Sequence, residues 1–174
     1  MCSTEIIEAQ RHYAGVTALE SSYGLNAFGR RNTNLNFSIS KYRNRTSYWK
    51  GGISFLEKSY IFRDPQDLIR PNFVYCSTGQ NYYADMAYYV TLATNRTSVY
   101  VNSGAGIFAG VEMYSNPAEQ TQFIFGPKLA VEIELFIAPR IALLCGLHQY
   151  WNPFSDLRVW NTTWSSGVKV LIYR

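Results

Sequence analysis

The chain has no run of about 20 apolar residues, so it carries no segment able to cross a bilayer as a helix. Histidine is scarce, with two residues, and the three cysteines (Cys2, Cys76 and Cys145) form no CxxC or other metal-ligand spacing. No metal and no cofactor is therefore expected. Cys145 alternates with Leu143 and Leu147 and reads as a small hydrophobe. Cys2 is open between a free thiol, a disulfide partner and a lipid-bearing residue. Residues 1–10 lack the apolar core of a secretion signal, so the chain is expected to be a processed form with a start methionine. Charge is also modest, at +4. The only local basic concentration is Arg30, Arg31, Lys41, Arg43 and Arg45. It reads as solvated turns and a barrel rim, with a contact for lipopolysaccharide phosphates or nucleic acid as the sharper alternative. No aromatic-and-basic module accompanies it, so direct nucleic-acid binding is not expected.

What the chain does have is alternation. Residues 82–92, 98–113, 123–137 and 141–151 are alternating apolar/polar runs, each long enough to cross a bilayer as a tilted strand. The 14 tyrosines and 4 tryptophans suit a membrane barrel, where rings meet hydrocarbon and polar tips meet water at both interfaces. Eight strands can be laid out, at 12–20, 33–42, 47–58, 82–92, 98–113, 123–137, 141–151 and 159–173, after an N-terminal tail of residues 1–11. The connections alternate long and tight, with residues 21–32 and 114–122 among the long ones. This is the rhythm of an all-β, eight-stranded antiparallel up-and-down transmembrane β-barrel with short turns in the periplasm and long loops outside.

The faces can be assigned by cost. On the sixth strand Leu129, Val131, Ile133 and Leu135 form one stripe and Lys128, Glu132 and Glu134 share the other. A lysine facing mid-bilayer lipid costs up to about 2–4 kcal/mol, so the charged side is expected to face the lumen. The same reasoning puts Lys50, Asp85, Glu112 and Lys169 inside, with Lys128 or Lys169 pairing to Glu132, Glu134, Asp85 or Glu112, because unpaired buried charge is costly. A soluble lipocalin-like barrel binding a small hydrophobic ligand would place the same residues on opposite sides. Strands of 11–16 residues weigh against it, since soluble strands centre on about 5–6.

No catalytic constellation emerges, and the chain is not expected to be an enzyme. His148 and Asp156 lie near serines, but Ser103-Gly104-Ala105-Gly106 is not a nucleophile elbow. Gly104, Gly106 and Gly110 lie within a strand, where they make room for side chains opposite rather than cradle a pyrophosphate. Glu132 and Glu134 share their face with Lys128, which favours charge pairing over acid–base work. Three Asn-x-Thr sequons, at Asn44, Asn95 and Asn161, are assigned no role. An eight-stranded lumen is just wide enough to be filled by side chains, so a transport pore is disfavoured. Function is then expected in the external connections 63–80, 114–122 and 152–157. Residues 63–80 mix Arg63, Asp67 and Arg70 with Phe73 and Tyr75, a blend suited to protein contact.

The runs Phe55-Leu56-Glu57-Lys58-Ser59-Tyr60 and Ser77-Thr78-Gly79-Gln80-Asn81-Tyr82-Tyr83 resemble the conjugative transposon TraO family. So do residues 104–112 and the block Lys128-Leu129-Ala130-Val131-Glu132-Ile133-Glu134-Leu135, and the resemblance covers about residues 10–174. It implies a small outer-membrane protein of Bacteroides-type mobile elements, serving the conjugation machinery as a structural or accessory part. Outer-membrane lipid and other envelope or conjugation proteins are the partners it implies.

Overall fold

The computed structural model describes residues 12–26, 32–63, 74–95, 97–115, 119–155 and 159–173. Eight strands follow one another as β1 (Thr17–Asn26), β2 (Asn32–Tyr42), β3 (Ser47–Arg63), β4 (Val74–Thr94), β5 (Val99–Ser115), β6 (Glu119–Ala138), β7 (Ile141–Trp151) and β8 (Trp160–Ile172). Each pairs antiparallel with the next, and β8 pairs with β1, which closes the barrel. Closure leaves no edge within the wall, the condition a sheet must meet in hydrocarbon. The up-and-down barrel expected from the alternation is the fold observed.

The register fixes the barrel's shape. The Val16 carbonyl accepts a hydrogen bond from Tyr42 N, at 2.9 Å. From there the ladder runs through Tyr48, Tyr89, Gly104, Ala130, His148 and Thr163 and returns to β1 at Asn26, ten residues above Val16. A shear of this size on eight strands tilts them by about 40° and leaves an interior that side chains fill.

Alternation decides which side chains fill it. On β6, Leu129, Val131, Ile133 and Leu135 are 43–59 % exposed, whereas Lys128, Glu132 and Glu134 are at most 2 % exposed. The lipocalin-like alternative required the reverse and fails on this point. Cys145 is exposed on the wall, in line with Leu143. Shallow grooves of about 740 and 590 Å³ lie on the same outer surface, where Gly51, Ala84 and Ala109 sit beside Phe37, Ile53 and Phe55. In a bilayer such hollows are covered by acyl chains.

Several expectations need correction. The sequence predicts a first strand over 12–20, but β1 begins at Thr17 and runs to Asn26, through the Ser/Gly-rich stretch that reads as a loop. Residues 17–24 pair with β2 and residues 17–26 with β8, and closure overrides the turn-prone composition. Residues 114–122 read as a loop in the sequence, yet β5 reaches Ser115 and β6 starts at Glu119. Their polar sequence marks strands that have left the hydrocarbon. Finally, tyrosine is not confined to the interfaces: Tyr42, Tyr48, Tyr83, Tyr89, Tyr100 and Tyr150 are buried.

Candidate functional site: the lumen and the projecting strands

The lumen is built from inward positions of all eight strands. Near the short-turn end, Glu20 on β1 and Lys169 on β8 face each other in register. Lys169 Nζ lies 3.0 Å from Glu20 Oε1 and 2.7 Å from Glu134 Oε1, spanning β7 to reach β6. Lys50 Nζ lies 2.5 Å from Glu20 Oε2 and 2.6 Å from Glu132 Oε1. Glu20 thus bridges two lysines, and each lysine bridges two carboxylates. Ser40 donates a further bond to Glu20, Asn102 Nδ2 donates to Glu134 at 2.8 Å, and the Tyr89 hydroxyl donates to Glu132 at 3.1 Å. A separate pair, Lys128–Asp85 at 2.9 Å, sits farther along the lumen. Every charge here is desolvated, so close pairing and these added hydrogen bonds are what offset the cost of burial.

Of the residues singled out in the sequence, the structure brings Lys50, Glu132, Glu134 and Lys169 into one network and pairs Asp85 with Lys128. Glu112 lies elsewhere, accepting from Ser155 Oγ at 2.8 Å. Two members were missed. Glu20 was placed at the end of a misassigned strand, although its spacing from Ala18 marks it as inward. His12 belongs to no strand, and only closure brings it to the lumen.

His12 enters because Gly15, at φ +88°, turns the chain back under the barrel. This left-handed conformation favours glycine. The His12 ring, 2 % exposed, lies 4.4 Å from Tyr42 and 4.1 Å from Tyr100, with Nε2 3.1 Å from Glu134 Oε2. It closes the short-turn mouth. Above the charges, Tyr83, Phe108 and Tyr150 pack with ring centroids 5.2–5.3 Å apart. Lysines also lie over rings, Lys169 at 4.5 Å from Tyr48 and Lys128 at 5.3 Å from Tyr150.

Space for these rings comes from glycine. A Cβ on Gly104 would lie 2.6 Å from the Tyr89 ring, which shares the lumen with the ladder neighbour Tyr48. Gly104→Val is therefore expected to lower stability by about 1–3 kcal/mol through overpacking. Urea unfolding in vesicles measures this, and an unchanged midpoint would show that the Tyr89 ring yields freely.

His148 is buried, with Nε2 3.2 Å from Ser165 Oγ and 3.8 Å from Glu132 Oε1. Asp156, its imagined partner in a triad, lies outside the described residues. Among the described residues no cluster of His, Cys, Asp and Glu could hold a metal ion.

Beyond the wall, the strands differ in length. β3 to β6 have 17, 21, 17 and 20 residues, against 10, 11, 11 and 13 for β1, β2, β7 and β8. Among the described residues the β2–β3 ladder reaches Asn32–Lys58, whereas β3–β4 continues to Arg63–Val74. Four adjacent strands thus stand above one side of the barrel mouth. Of the candidate contact residues, Arg63 and Tyr75 belong to this projection, while Asp67, Arg70 and Phe73 lie outside the described residues. The connection after β7 folds onto it: Gln122 Nε2 donates to the Phe154 carbonyl at 2.5 Å, and Phe154 stacks on Phe125 at 4.5 Å.

Solved barrels share this architecture. Pseudomonas aeruginosa OprG aligns with a TM-score of 0.69 at 7 % identity, over 95 % of this chain and 99 % of OprG. The N-terminal barrel domain of P. aeruginosa OprF aligns at 0.65 and 9 % identity, over 91 % and 98 %. A major outer membrane protein of Thermus thermophilus aligns at 0.63 and 12 % identity, over 92 % and 100 %. At such identities they establish the fold alone. No curated protein matches the sequence. The family model for conjugative transposon protein TraO matches residues 11–172, the whole of the barrel, and the chain belongs to the TraO family.

Proposed function

We propose that this barrel is a structural or accessory component of a conjugative DNA-transfer apparatus, acting without catalysis from the outer membrane. Its projecting strands face outward and its short turns face the periplasm. The observation that carries this reading is the β3–β6 projection, four strands prolonged by several residues beyond what a bilayer requires, on a chain of the TraO family. The filled lumen weighs against transport, since charges and aromatic rings occupy it from end to end. The short turns at residues 43–46, 95–98 and 139–140 offer little contact area. Protein contact therefore concentrates on the projection and on the connection 64–73 that joins β3 to β4 in the sequence, with Arg63, Asp67, Arg70, Phe73 and Tyr75 as the contact residues. The partners are other envelope or conjugation proteins.

Replacing residues 67–72 by a short Gly/Ser turn tests this. The shortened barrel is expected to insert and fold normally, as judged by heat-dependent gel migration. Transfer frequency in mating is expected to fall about tenfold or more, the equivalent of losing a contact worth ~1.4 kcal/mol. Normal transfer by a folded, shortened barrel would remove the contact reading.

A further inference from the structure

Two of the sequons turn out to be a repeated turn. In Asn44-Arg45-Thr46, Asn44 Oδ1 accepts bonds from Thr46 N at 2.9 Å and Ser47 Oγ at 2.9 Å. In Asn95-Arg96-Thr97, Asn95 Oδ1 accepts from Thr97 N at 3.0 Å, Ser98 N at 2.8 Å and Val99 N at 2.9 Å. In each, the asparagine replaces a backbone acceptor and the next residue in the sequence is an arginine. The third short turn carries Arg140, whose guanidinium lies 5.7 Å from the Tyr173 ring, with the Tyr173 hydroxyl donating to the Pro139 carbonyl at 3.2 Å. Every tight turn at this end therefore contains arginine, and none contains an acidic residue.

We propose that the short-turn end binds the phosphate headgroups of the leaflet surrounding it, through Lys41, Arg43, Arg45 and Arg140. All four side chains are exposed. The β2–β3 and β6–β7 turns lie four strands apart in an eight-stranded ring, hence on opposite sides of the mouth. Residues 12–16 occupy the middle of that end, so the cations form a rim and not a pocket. A rim suits an annulus of dispersed anions better than one compact ligand. Lys41 is on the outward face of β2, opposite Trp49 in register, and Trp49 lies 5.0 Å from Tyr88. An aromatic pair beside an exposed lysine on the outward face of the wall is the chemistry of a headgroup boundary. Among the described wall positions at this end no acidic side chain offsets the charge. The inference needs only the membrane placement and is independent of the role in DNA transfer.

Trp49 also makes it testable. The other three tryptophans, Trp151, Trp160 and Trp164, lie on β7 and β8 toward the opposite end. W151F/W160F/W164F leaves Trp49 as sole reporter in phosphatidylcholine vesicles containing brominated phosphatidylglycerol or, separately, brominated phosphatidylcholine. Phosphatidylglycerol is expected to be enriched about fivefold beside Trp49 at low salt, the effect of about one cation at a charged surface. The enrichment should vanish in K41Q/R43Q/R45Q. A companion variant reporting only through Trp160 should show none. Equal quenching by the two lipids, enrichment that survives the triple glutamine change, or the same enrichment at Trp160 would each overturn the proposal. Should the tryptophan variants fail to fold, native mass spectrometry of wild type and K41Q/R43Q/R45Q counts the anionic and zwitterionic lipids retained. Unchanged lipid counts, with or without loss of a co-purifying envelope protein, overturn it too.

Discussion

Lys169→Met is expected to lower the unfolding free energy by about 3–5 kcal/mol, the usual result of removing one partner from a buried charge pair. Lys169 is fully buried and divides its charge between Glu20 and Glu134. Without it, Glu20 keeps Lys50, but Glu134 keeps only neutral donors and His12. The low-dielectric lumen makes this uncompensated charge expensive. K169M/E134Q removes both members, and is expected to recover much of the loss, because the remaining Glu20–Lys50–Glu132 chain is intact. Urea titrations of both variants in vesicles provide the comparison. A loss below about 1 kcal/mol for Lys169→Met would mean that water reaches the network and screens it.

Val131→Lys is expected to cost about 2–4 kcal/mol in a bilayer, the penalty of a lysine at mid-depth on a lipid-facing wall. Val131 lies between Leu129 and Ile133 on the outward stripe of β6, and its ladder neighbours are Ser103 and Leu147. No carboxylate is within its register row to pair with the new charge. The adjacent residue gives a contrast: Glu132→Gln changes the lumen, where Lys50 keeps Glu20 as its partner, and should cost less. No inward change can rescue Val131→Lys. Equal stability of wild type and Val131→Lys in vesicles would sink the assignment of this face to lipid.

How much could be read in advance depended on depth. β7 was legible to the residue, because Pro139-Arg140 and Asn152-Pro153 bound an alternating run that lies wholly in hydrocarbon. There the solvent differs on the two faces and the sequence must alternate. Alternation predicts β4 over 82–92, but it spans Val74–Thr94, and predicts β6 over 123–137, but it begins at Glu119. In those upper portions both faces can meet water, so selection for alternation lapses and a strand resembles a loop. The pairing of Lys128 with Asp85 could be anticipated in kind from parity. Its geometry could not, because β4 and β6 meet only across the lumen, with β5 between them in the sheet.

The sequence by itself determined the number of strands, their up-and-down order and the side on which most of the lumen charges lie, since all three follow from local alternation and turn length. Tertiary structure alone decided what the charges do. Closure sets Glu20 beside Lys169, residues 149 apart in the chain. The ten-residue stagger then decides which inward side chains share a level, and so that Lys50, Glu132, Glu134 and Lys169 meet while Glu112 does not. His12 became a lid only because the turn at Gly15 sends it beneath a ring of tyrosines. A period of two records the face a residue occupies, and carries no information about its partner across the barrel.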